Sequence, residues 1–84
     1  MDYRTWNRLQ PGDIVKGPLG RLYEVVKVEA YTRGRPQLMR CYDLLEPLYS
    51  TILLQRYNIE TLTLVDKSDK SYIAVKVLFG KANG

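Results

Sequence analysis

The chain has 84 residues and a net charge of +4; 45% of its residues are apolar, 26% charged and 11% aromatic. That length allows one domain and excludes a two-domain enzyme, and an ordinary apolar share with modest charge excludes a disordered chain. No apolar run approaches the roughly 20 residues that span a bilayer, and Met1-Asp2-Tyr3-Arg4 lacks the basic-then-apolar pattern of a signal peptide.

Residues 1–10 form a polar leader in which Trp6 and Leu9 lie three apart, a spacing that suits one helical turn or a lid over the main body. As the sole tryptophan, Trp6 is expected to cover one end of the core. Pro11-Gly12 is a turn signal, Asp13 is placed to bond local backbone N–H groups, and Ile14-Val15 opens a strand. A second breaker, Gly17-Pro18-Leu19-Gly20, leads into a long strand from Arg21 to Tyr31. Thr32-Arg33-Gly34-Arg35-Pro36 reads as an exposed loop before the next strand, Gln37 to Leu45. Alternation along that strand sets Met39 and Cys41 on one face and Arg40 and Tyr42 on the other.

Glu46-Pro47 is a turn, Tyr49 to Gln55 another strand, and Arg56-Tyr57-Asn58 an interruption that suits a single helical turn. Thr61 to Val65 alternates as a half-buried strand, with Leu62 and Leu64 facing inward. After the polar turn Lys67–Ser71, the run Tyr72–Phe79 places Ile73, Val75, Val77 and Phe79 on one face and predicts an additional C-terminal strand. Residues 80–84 are expected to fray. The expected core is Ile14, Val26, Val28, Met39, Cys41, Leu54, Leu62, Leu64, Val75 and Val77.

Short strands parted by Gly, Pro or polar turns every ten or so residues define an all-β, antiparallel barrel or sandwich. The stretch Leu9-Gln10-Pro11-Gly12-Asp13-Ile14-Val15, a Gly-containing turn, then Tyr23-Glu24-Val25-Val26-Lys27-Val28 resembles the opening of small SH3-like barrels, among them the KOW and Tudor-like domains. The resemblance covers residues 9–65. It implies one small antiparallel SH3-like barrel of five to six strands: leader 1–10, barrel core 11–66, added strand 72–79. Members of that superfold bind RNA, DNA, peptides or other subunits, so the resemblance gives architecture, not activity.

Many chemistries fall away quickly. The chain has no histidine and one cysteine, Cys41, so it lacks the commonest general base, any Ser-His or Cys-His pair and the ligands for zinc. Gly12, Gly17 and Gly20 punctuate a strand and a turn and form no nucleotide-binding loop. Asp66 and Asp69 lack the dense oxygen cage of a calcium site. Asp43 and Glu46 are the nearest thing to an acid/base pair, with no recognisable partner set. No catalytic residue, cofactor or metal is expected, and the lone cysteine fits a reducing, cytoplasmic setting.

What remains is binding. All of the excess charge lies in residues 1–40, which hold six Arg and two Lys against four acids, whereas residues 41–84 carry five of each sign. Arg21, Arg33, Arg35 and Arg40 are candidates to converge around the Arg33-Gly34-Arg35 loop and contact phosphates, with Tyr31 and Tyr42 stacking bases. The plainer account of the charge is a solvated, mildly basic surface. Seven tyrosines exceed what so small a core can hide, although Tyr is also simply a favoured strand residue. The first expectation is a nucleic-acid-binding module. The alternative is a protein-interaction module or a small accessory or inhibitor protein of the kind phages and mobile elements encode, for which an open strand edge would also allow a self-associating homodimer; no membrane is expected as a partner.

Overall fold

The structure is a computed structural model describing residues 1–46 and 50–79, apart from the side chain of Phe79. The expectations placed on Pro47, Tyr49 and residues 80–84 lie outside these. A short helix α1 (Tyr3–Asn7) precedes strands β1 (Ile14–Lys16), β2 (Leu22–Thr32), β3 (Arg35–Asp43) and β4 (Thr51–Gln55). A 3-10 helix (Arg56–Thr61), strand β5 (Thr63–Val65) and helix α2 (Lys70–Phe79) complete the chain. The five strands make one antiparallel sheet in the order β4-β3-β2-β1-β5.

Each turn has a local cause. Asp13 accepts from the Gln10 N–H at 2.8 Å, closing the Pro-Gly corner in which Gly12 takes a φ of +97°. Between β2 and β3, Thr32 pairs with Arg35 across only two residues, Arg33 at φ +53° and Gly34 at φ +75°. Positive φ at both central positions is the primed two-residue hairpin, whose twist matches that of the strands it joins.

Two buried clusters lie on opposite faces of the sheet. Trp6, Val15, Val25, Met39, Cys41, Leu54, Ile59 and Leu62 share one, roofed by α1 and the 3-10 helix. Ile14, Leu22, Leu44, Val65 and Tyr72 form the other, beneath α2. Leu54 belongs to one end strand and Leu62 leads into the other, yet both join the first cluster. Among the described residues β4 and β5 do not pair with each other, so the sheet is not hydrogen-bonded into a closed ring.

Three expectations need correction. Tyr72–Phe79 lies in a helix, not a strand. An apolar run of this length fits either period, and the start decides it: Asp69 accepts from the Ser71 N–H at 2.8 Å, and its carbonyl takes the first helical bond from Ile73 at 3.0 Å. Helical periodicity then buries Tyr72 and leaves Val77 72% exposed. Val26 leaves the core because β2 bulges there: Val25 opposes Cys41, Lys27 opposes Arg40, and the extra residue lets Val25 and Val28 both reach the first cluster. Leu64 stands on the short edge strand β5 and is 47% exposed, so Val15 of the neighbouring β1 fills the interior instead.

Candidate nucleic-acid interface

Hairpin alternation decides which side chains meet. Thr32 pairs with Arg35, so the two share one face of the β2–β3 tip, and Gln37, the extra residue at the irregularity between Pro36 and Leu38, lines the same cleft. Arg56, the first residue of the 3-10 helix, stands across from them. Thr32, Arg33, Arg35, Gln37 and Arg56 line an open cleft of about 500 Å³. None of the five is acidic, and none of the three arginines has an ion pair among the described residues. Uncompensated guanidinium groups converging on one concavity make a local positive potential, which such a shape focuses.

The leader helix builds one wall. Trp6 is fully buried and donates its indole N–H to the Pro36 carbonyl at 2.8 Å, anchoring α1 to the strand that carries Arg35 and Gln37. From the same helix, the Tyr3 ring lies 4.0 Å from the Arg56 guanidinium carbon. That stack holds a flexible arginine in one pose. The Arg56 Nε is buried and has no hydrogen-bond partner among the described residues. A desolvated donor of this kind costs stability until an acceptor arrives. The backbone nitrogen of Met1 donates to the carbonyls of Ile59 and Leu62 at 3.1 and 2.7 Å, so the leader also grips the 3-10 helix.

The sequence candidates separate into two groups. Arg33 and Arg35 line the cleft. Tyr31 pairs with Pro36, out of phase with Thr32 and Arg35, so it lies on the opposite face of the hairpin, 62% exposed. Arg21 lies away from the cleft lining and is engaged elsewhere: its guanidinium reaches Asp43 at 2.9 Å and Glu46 at 2.7 Å, tying the start of β2 to the end of β3. Those contacts also occupy the one carboxylate pair that hinted at acid/base work. Arg40 bonds Glu29 and, at 3.0 Å, the Thr51 hydroxyl, and Tyr42, on the same face opposite Glu24, is half-buried against the second cluster. The Arg40 guanidinium holds the Glu29 carboxyl below its ordinary pKa.

Sequence reasoning missed Arg56, because it sits in the half of the chain without excess charge. The available signal was an Arg-Tyr pair at a strand break. Cys41 is fully buried, and burial pushes its thiol up to about 12, far from a reactive thiolate. No helix among the described residues is long and apolar enough to cross a membrane. No family model, curated protein or solved structure matches the chain.

Proposed function

We propose that the chain is a non-catalytic binding module with an SH3-like barrel architecture. The sheet order supports this, since β5 returns beside β1, and Leu54 of β4 and Leu62, just before β5, share one buried cluster, as a meander curling toward closure requires. More particularly, it binds nucleic acid through phosphate contacts in the arginine cleft. The observation that carries this reading is Arg33, Arg35 and Arg56 lining one concavity without a carboxylate among its lining residues. Guanidinium forks match phosphate oxygens, and Gln37 and Thr32 add neutral donors.

A second observation supports it. Arg33 occupies a left-handed position where Asn, Asp or Gly is normally preferred, and such strain tends to persist where a side chain serves a purpose beyond the fold. The test is an oligonucleotide titration followed by fluorescence anisotropy. Arg33→Glu with Arg35→Glu abolishes binding while leaving the circular dichroism spectrum intact, because both side chains are exposed and unpaired among the described residues. Retained binding in that folded double variant defeats the reading.

Self-association is the competing reading, and one observation favours it: α2 turns Ile73, Val77 and Leu78 to solvent while Tyr72 and Val75 hold it to the sheet. Light scattering on the size-exclusion peak decides this, and a strict monomer at high concentration removes it.

A further inference from the structure

We infer that the cleft takes a single strand and not a duplex, an inference that rests on the nucleic-acid reading above. The cleft is recessed between the hairpin tip and the 3-10 helix, and its volume of about 500 Å³ equals a sphere roughly 10 Å across. The sugar-phosphate unit of one nucleotide in a flexible strand fits that space. A duplex cannot follow its phosphates inside, since its major groove alone is about 12 Å wide.

The charge pattern agrees. A duplex is met by a basic surface running along its backbone, whereas Arg21 and Arg40 lie outside the cleft lining and are neutralised by Asp43, Glu46 and Glu29. Of the arginines on the hairpin and the strands beside it, those left without an ion pair among the described residues, Arg33 and Arg35, meet Arg56 in one concavity.

The lining also divides the labour. All five lining residues offer hydrogen-bond donors and none is aromatic, so the cleft holds the phosphodiester and leaves the base outside. Tyr57 follows Arg56 directly in the 3-10 helix and is 73% exposed. It offers a ring to an unpaired base, a contact that a base-paired strand cannot make. Stacking of this kind tolerates every base, so the strand is held without sequence preference.

The experiment compares a labelled thymidine oligonucleotide of about twelve nucleotides with a duplex of equal length by anisotropy at low salt. Wild-type protein is expected to bind the single strand at least tenfold tighter, roughly the effect of one well-stacked base, and Tyr57→Ala to lose about five- to tenfold on the single strand alone. Equal or tighter binding of the duplex overturns the inference, as does a Tyr57→Ala protein that binds the single strand like wild type. Displacement of the oligonucleotide by micromolar inorganic phosphate marks a small phosphorylated ligand and also overturns it. If neither polymer binds, the nucleic-acid reading itself falls, an outcome distinct from a preference for duplex.

Discussion

Arg33 sets stability against binding, and one substitution separates them. At φ +53° its side chain crowds the backbone in a way that Asn tolerates better, and it makes no ion pair among the described residues that replacement would break. Arg33→Asn with Gly34 retained gives Asn-Gly, the preferred pair for this turn. Relief of the strain is expected to stabilise the fold by about 0.5–1 kcal/mol. For a domain of this size that raises Tm by roughly 2–8 °C. The same change removes one phosphate contact. On a single strand this lowers the salt slope by about 0.7 and the affinity near 0.1 M salt by roughly fivefold. Thermal melts followed at a far-ultraviolet wavelength and anisotropy titrations on the same preparation read both quantities. A variant that is more stable and binds less tightly is the expected result. A variant less stable than wild type refutes the strain argument, and one that binds unchanged refutes the placement of Arg33 in the site.

Other expectations follow from the buried contacts. Trp6→Ala empties a fully buried site and strands the Pro36 carbonyl, costing about 3–5 kcal/mol, enough to unfold much of the population; a urea midpoint close to wild type by circular dichroism contradicts it. Tyr3→Leu leaves the fold intact but frees Arg56, weakening oligonucleotide binding by roughly two- to fivefold; unchanged affinity would show that the ring does not position the arginine. Cys41 resists a thiol reagent in native protein and reacts once urea unfolds it; labelling as fast as a free thiol, without denaturant, contradicts its burial. The Glu29 carboxyl is held below its ordinary value by Arg40, so its contribution to stability is complete above the unfolded pKa of about 4.3 and lost as pH falls through the lower folded value. Glu29→Gln accordingly flattens the acid limb of the stability curve, and an acid limb identical to wild type would place the acid sensitivity elsewhere.

Much of the fold was legible because its signals are local. Pro11-Gly12-Asp13 and Arg33-Gly34 announce turns through backbone preferences that no tertiary contact has to supply. The Met39/Cys41 alternation holds because β3 keeps its pleat through that stretch, and the break at Arg56 became a 3-10 helix. What failed needed information from a partner strand or a cap. The bulge at Val26 is visible only once Cys41 and Arg40 face their partners, and it moves Lys27 and Val28 to the other face before the next irregularity, between Val28 and Ala30. In the last segment the strand-like alternation from Ile73 to Val77 hid a helix whose origin lies in the Asp69 cap.

The site was half legible for a related reason. Charge counting marks Arg33 and Arg35 but cannot tell a free arginine from one already paired, and the partners of Arg21 and Arg40 lie far along the chain. Arg56 is brought to the cleft by packing alone: the 3-10 helix lies against the leader, and the Tyr3 ring receives the guanidinium.

The most direct test of the phosphate-binding cleft is the salt dependence of oligonucleotide affinity. Three phosphate contacts on a single strand predict a slope of about −2 for the logarithm of the association constant against the logarithm of salt concentration, falling close to zero when Arg33, Arg35 and Arg56 are all changed to Ala. A wild-type slope near zero, or a steep slope that survives the triple substitution, contradicts the account.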